Sequence, residues 1–334
     1  MANLGTQALT LADYRKRMNP DGELDFIIEA LENSNPILQD MVWNEGNLPT
    51  GNMTTIRTSL PTPQIRLINK GVTPSKSTTE QKQDTCIILE DKSSVDIELL
   101  ALQKNPEAFR RSEDAAFVQG FSDVVAANLF YGDTDADPHT FNGLATRYNT
   151  LSGNKGTAGY QTISAGTAGT NNTSIYLVGW GTKNTVGIYP RNSVMGLKMR
   201  DLGEQTVKDA NGGEFQAVQT LFNWKAGLAV QNIRSNAAVR NIDVSGLSTA
   251  ANQKKIVEAI VKAKNRIQGM QRGDKKVVMY VSTNVYDMLE LYLNDKNNVY
   301  VTRQELMGQM PQLYFSGIPV KMCDAIAEDE GAVV

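Results

Sequence analysis

Residues 129–148 read LFYGDTDADPHTFNGLATRY. The stretch holds three alternating aspartates, Asp133, Asp135 and Asp137, and the chain's only histidine, His139. A metal loop and a structural joint are the two readings of such a segment. A helix–loop–helix calcium site needs oxygen ligands at positions 1, 3 and 5, glycine at 6 and a bidentate Glu at 12. Counted from Asp133, position 6 is Pro138, whose ring forbids the positive φ of that glycine. Position 12 is Leu144, which ligates nothing. What remains is an acidic turn, and no bound metal is expected. Gly132 and Gly143, with Pro138 between them, suit a joint between a helix and an extended segment. Gly132, Asp133, Gly143 and Leu144 are the candidate joint residues.

Upstream the joint meets a long helix. Asn105 is a capping residue, Pro106 suits the first helical position and Glu107 favours the helix dipole. Phe109, Phe117, Phe121, Val124 and Leu129 then recur at helical spacing up to Tyr131. Gly132 is the expected stop. At ~1.5 Å per residue the helix is a rod of roughly 38 Å. Its aromatic stripe is read as core packing.

Before the helix lies a stretch of different character. Residues 44–91 are rich in Thr, Pro, Asn, Gln and Lys, with strand-like pieces TTIRTSL, QIRLIN and TCIILED. They hold too few large apolar residues for a core, yet are too β-branched for a plain linker. An extended β-hairpin that leaves the body satisfies both observations. Its bare edges would be a liability in a solitary molecule. Residues 1–43 read as a mostly helical arm, with Leu24, Ile27, Ile28 and Leu31 at helical spacing. Such an arm cannot bury its own apolar face and must dock on something.

After the joint, residues 151–174 are small, polar and glycine-rich and read as a mobile loop. SIYLVGW and TVGIYP read as strands, and Asn223–Gly227 as a turn between FQAVQTLF and GLAVQNIR. Ala250–Met270 is an amphipathic helix carrying Ile256, Ile260, Ala263, Ile267 and Met270 on one face. KKVVMYVST is a buried strand, followed by a helix with Val285, Met288, Leu289 and Tyr292. QLYFSGIPVKMCDAI closes the chain as an extended segment.

Composition narrows the function. The 334 residues carry a formal net charge of −3, with a pI near 5.4. No strong affinity for nucleic acid backbone or anionic membrane follows from that balance. No apolar run approaches the ~20 residues of a membrane helix, and the start has no signal pattern. Cys86 and Cys323 stand alone, as buried thiols of a reducing compartment would. One histidine rules out a His pair for zinc and leaves any Ser–His or Cys–His nucleophile dependent on His139. Phosphate-binding GxxxxGK(S/T), GxGxxG after a strand and GxSxG are all missing. Neither enzyme activity nor a cofactor is expected.

The order of parts is helical arm, long β excursion, single long helix, acidic glycine turn and mixed α/β body. It resembles the tailed-phage major capsid proteins of the Hong Kong 97 type, nearest the epsilon-fifteen podophage kind. LFYGDTDADPHTFNGLATR is similar to that family's spine-helix end, through Gly132, Asp133, Phe141, Gly143 and Leu144. NWKAGLAVQNIRSNAAVRNID (Asn223–Asp243) resembles its axial-domain segment, and YFSGIPVKMCDAI (Tyr314–Ile326) its closing strand. SEDAAFVQGF on the long helix fits as well.

The resemblance implies an α+β chain with the HK97-like phage capsid fold. Its parts would be an N-terminal arm (1–43), an extended β-hairpin loop (44–91), a peripheral domain (92–150) whose spine helix covers about 106–131, and a mixed α/β axial domain (151–334). The chain after about 295 is open to a return to the peripheral domain. The implied function is that of a major capsid protein, assembling into the icosahedral shell around the double-stranded DNA of a tailed phage. The implied partners are sister subunits in pentamers and hexamers, a separate scaffolding protein, a portal protein, packaged DNA without sequence-specific contact, and room for a decoration or staple protein. Assembly would take place in the bacterial host cytoplasm. Phe26 and Trp43 in the arm, and Arg57, Arg66 and Lys70 in the excursion, are the candidate intersubunit contacts. A nanocompartment shell with protein cargo and a soluble enzyme using the acidic turn are the rival readings.

Overall fold

The structure is a computed structural model that describes residues 35–209, 212–269, 275–293, 301–304 and 312–334. Chain order gives α1 (Ile37–Asp40), β1 (Trp43–Glu45), β2 (Gly51–Ser59), β3 (Thr78–Asp96), α2 (Ile97–Ala101) and the long helix α3 (Pro106–Tyr131). Next come α4 (Leu144–Arg147), α5 (Ala158–Gln161), β4 (Thr162–Ser164), β5 (Asn172–Trp180), β6 (Thr185–Tyr189), β7 (Leu197–Lys208) and β8 (Glu214–Val230). The remainder is β9 (Ala237–Asp243), α6 (Ala250–Arg266), β10 (Lys276–Val281), α7 (Thr283–Leu293), β11 (Val301–Gln304), β12 (Gln312–Phe315) and β13 (Ile318–Met322). Leu24, Ile27, Ile28, Leu31, Phe26 and Met270 lie outside the described residues.

One sheet runs through the molecule in the order β11-β12-β13-β10-β5-β6-β8-β3-β2, with β1, β4, β7 and β9 attached beside that path. Its central strand β5 is buried along its whole length, and alternate side chains serve two cores. Tyr176, Val178 and Trp180 join the core under α3, with Phe121, Val125, Leu129, Phe130 and Phe222. Ile175 and Leu177 join the second core, with Ile256 and Ile260 of α6 and Val285 and Leu289 of α7. A strand buried on both faces has to read as a continuous apolar run, and SIYLVGW does.

Helix α3 is assembled from local signals. The Asn105 side chain accepts from the Ala108 N–H, and Pro106 occupies the first turn. Phe109, Phe121, Val125, Ala126, Leu129 and Phe130 are its buried residues. Val124, expected inside, is 45% exposed; Val125 beside it takes the buried position.

Three other expectations are corrected. Asn223–Gly227 is no turn: β8 runs straight through it, paired with β3 on one side and β7 and β6 on the other. Pairing on both edges overrides the turn-forming character of Asn and Gly. QIRLIN is not a strand; residues 64–69 are exposed irregular chain with Asn69 at φ 62°. Part of 151–174 is regular structure, since Thr157 caps α5 and β4 pairs in parallel with β9.

Candidate interaction site: the hairpin and the joint beneath it

Strand β3 is 19 residues long and changes partner along its length. Residues 86–96 pair with β8 inside the body. Residues 78–85 pair with β2 alone and form the hairpin. Eight residues of paired strand span roughly 27 Å, rooted in the body at Asp84 and Thr85, and residues 60–77 form the tip. There Leu60, Ile65, Leu67, Ile68 and Val72 are 50–95% exposed. The tip holds itself with polar contacts: the Thr73 N–H donates to Gln64 Oε1 and Arg66 Nε donates to the Lys70 carbonyl. No core cluster of the described residues includes any tip residue.

The hairpin leaves the body at a buried ion pair. Asp84 Oδ1 sits 2.7 Å from Arg147 Nη2, with side chains 2% and 7% exposed. Arg147 also donates to the carbonyls of Asn142 (2.8 Å) and Leu228 (3.1 Å). Thr85 Oγ1 donates to the Thr140 carbonyl. Among the described residues, Asp84 Oδ2 and Arg147 Nη1 are buried with no hydrogen-bond partner. The desolvation of two charges is poorly repaid by a pair left incomplete in this way. Sequence reading missed both residues.

Arg147 closes the joint that begins at Gly132. The Gly143 N–H donates to the Gly132 carbonyl at 2.8 Å, and Thr146 Oγ1 donates to the same carbonyl at 2.7 Å. Gly132 ends α3 as expected, at φ −53°. Close approach is what demands glycine: a Cβ at Gly132 would lie 2.2 Å from the Phe141 carbonyl oxygen. A Cβ at Gly143 would lie 2.5 Å from that of Phe130. Leu144 is 1% exposed and packs into the core under α3.

The aspartates of the turn serve its backbone. Asp133 Oδ1 accepts from the Asp135 N–H, Asp137 Oδ1 from the His139 N–H, and the Asp133 carbonyl from the Asp137 N–H. Among the described residues no group of three His, Cys, Asp or Glu side chains could hold a metal ion. Burial pushes both thiols up to about 12, Cys86 with a further contribution from Asp84.

The five predicted contact residues divide. Arg57, Arg66 and Lys70 are exposed on the hairpin. Phe26 lies outside the described residues. Trp43 is committed to its own chain: β1 pairs in parallel with β6, and the Trp43 ring lies 6.4 Å from that of Trp224. The Trp43 indole is half-buried against the core under α3.

Comparison with known proteins agrees with this architecture. The family model described as major capsid protein GP7 matches residues 19–334. A solved structure of bacteriophage Epsilon15 is 34% identical, at a TM-score of 0.73, covering 100% of this chain and 99% of that one. The capsid of bacteriophage JBD30 shares the fold at a TM-score of 0.52 and 11% identity, over 89% of this chain and 93% of that one. No curated protein sequence matches. With the HK97-like fold, the projecting hairpin and a family match over nearly its whole length, the chain belongs to the GP7 family of major capsid proteins.

Proposed function

We propose that this capsid protein works by lending its hairpin to sister subunits. As a major capsid protein it forms the shell of a tailed phage. The observation that carries the mechanism is the tip, where five large aliphatic side chains are 50–95% exposed on a two-stranded arm. Exposed apolar clusters of this kind mark interaction surfaces. Laying the arm along a neighbour buries those side chains and pairs a bare strand edge. Arg57, Arg66 and Lys70 then meet carboxylates or carbonyls of that neighbour. A standard interface buries ~1,600 Å², and many such contacts per subunit sum to a stable shell.

In this reading residues 1–43 are the arm, 44–91 the extended loop, 92–150 the peripheral domain with its spine helix, and 151–334 the axial domain. The last residues return to the spine helix: the Ala327 N–H donates to Tyr131 Oη, and Cys323 and Ile326 join the core under α3. Gly132, Asp133, Gly143 and Leu144 form the joint that fixes the hairpin root to the spine. The protein is not an enzyme and needs no cofactor. Assembly in the host cytoplasm uses a separate scaffolding protein, with a portal protein at one vertex and packaged DNA held without sequence-specific contact.

Electron microscopy of the purified full chain, alone and with a coexpressed scaffolding protein, tests the proposal. Particles of uniform diameter are expected. A chain that stays monomeric in both preparations overturns it.

A further inference from the structure

Helix α3 has an apolar strip that the core does not use. Ala116, Gly120, Val124 and Ala127 stand at helical spacing and are all exposed. Beside the strip, Phe117, Gly120, Phe121 and Val124 line an open groove of about 450 Å³, closed on its far side by Leu89 of β3. Glu90 and Asp91 form the rim.

Two observations point to what covers it. The first is Gly120, which stands in the middle of a helix of 26 residues. Glycine there costs helix stability relative to alanine. Gly132 and Gly143 are required by carbonyl oxygens of their own chain, but at Gly120 nothing among the described residues lies within 4 Å of the place a Cβ would take. A bare backbone at that point suits the close approach of a further segment. The second observation is where the described chain begins. Asn35 Nδ2 donates to Asp123 Oδ1 at 2.8 Å. Asp123 adjoins Val124 and stands three positions, ~4.5 Å along the helix axis, from Gly120. The chain before Asn35 therefore starts at the edge of this strip.

We infer that residues 24–31 of the same chain dock across Gly120, with Leu24, Ile27, Ile28 and Leu31 filling the groove beside it. Four residues separate Leu31 from Asn35 and reach at most about 14 Å, enough to bring Leu31 onto the strip. Eight residues of helix are ~12 Å long, and the strip from Ala116 to Ala127 is ~16 Å. At helical spacing Asp25, Glu29 and Glu32 share one flank of the apolar stripe, so a single direction of docking turns them away from Glu90 and Asp91. The hairpin tip of a second copy is the rival occupant, since it offers aliphatic side chains with Arg66 and Lys70. Tethering favours the arm: so short a link holds it at an effective concentration in the millimolar range, whatever the state of assembly. The inference concerns how a subunit covers its own arm and does not depend on what the hairpin tip touches.

Amide hydrogen exchange of the unassembled full chain, followed by mass spectrometry at several protein concentrations, decides it. Exchange in residues 24–31 is expected to be slowed at least about tenfold relative to an unprotected peptide, equally at every concentration. Gly120→Gln has room within the described chain and improves helix propensity, so the body should melt no lower; the slowing in residues 24–31 should nevertheless disappear. Ile27→Asp with Ile28→Asp should abolish it from the other side of the contact. Val124→Glu, at an exposed position, carries the same test if Gly120→Gln fails to fold. Unprotected exchange of residues 24–31 in the wild type would overturn the inference, as would protection that survives Gly120→Gln. Protection that fades on dilution, or a dimer that Gly120→Gln abolishes, would put a second copy in the groove and overturn it too.

Discussion

The two ends of one hairpin follow opposite rules. At the root, residues 86–96 of β3 are paired with β8, Asp84 and Arg147 are buried together, and two glycines are locked carbonyl to amide. At the tip, residues 60–77 expose five large aliphatic side chains and rest on a few polar contacts among themselves. The root is finished within the chain and the tip is not. Folding of the subunit and assembly of the shell are therefore assigned to different parts of a single strand pair, and substitutions should separate them.

The sharpest separation comes from removing the tip. Replacing residues 61–76 by Asn-Gly, a sequence that suits a two-residue hairpin turn, should leave the body folded. Its melting temperature in the unassembled state should move by no more than a few degrees, as expected where no core contact is lost. Particles should vanish from electron micrographs. If the shortened chain still assembles, the contrast between root and tip is broken.

The root should respond in the opposite sense. Asp84→Ala leaves the Arg147 guanidinium buried and unpaired, a change that costs about 3–5 kcal/mol. Urea unfolding of the unassembled chain measures it. Asp84→Leu with Arg147→Met should recover most of that stability, because a well-packed apolar pair is often as good as a buried ion pair. The double variant should nevertheless assemble poorly, since nothing then aims the hairpin. Normal assembly would show that the pair does not set its direction.

Gly143→Ala is a milder test of the same region. The new methyl meets the Phe130 carbonyl at 2.5 Å, and the backbone must shift. A loss of about 1–3 kcal/mol is expected, the usual cost of forced overpacking, read from the same urea titration. An unchanged midpoint would mean that the joint yields freely and cannot brace the root.

What could be read in the sequence follows the same division. Helix α3 was legible from Asn105 to Tyr131 because cap, first-turn proline and apolar spacing are all local. The hairpin was legible because its composition cannot build a core. The Asp84–Arg147 pair was not, since 63 residues separate the partners and neither sits in a motif. Asn223–Gly227 misled because its residues favour turns, whereas the strand they occupy is held on both edges. Gly227 is there for close approach, with a Cβ position 2.5 Å from the Thr85 carbonyl oxygen. Gly132 and Gly143 were found, but for a partly wrong reason. Sequence suggested backbone freedom at the end of a helix; the structure uses their lack of a side chain.

The smallest expected effect concerns Asp40, at the start of the described chain. Burial alone would raise its carboxyl, but Lys276 and Lys321 outweigh that and hold it below the ordinary value. Lys276 Nζ lies 2.8 Å and Lys321 Nζ 2.7 Å away, and Tyr280 Oη donates to Oδ2 at 3.0 Å. A carboxyl whose folded pKa is depressed contributes stability above its unfolded value and loses it as pH falls through the folded one. The contribution should therefore fade below about pH 4. It is modest because the Lys276 side chain is 62% exposed and screened by water. Tyr280 Oη also accepts from Trp180 Nε1 at 2.9 Å, which gives the loss an optical signal. Near-ultraviolet circular dichroism of the wild type should change below that pH, and Asp40→Asn should remove that part of the change. The tip, which has no buried carboxylate, should show no matching step; identical acid titrations of wild type and Asp40→Asn would mean that this anchor holds nothing.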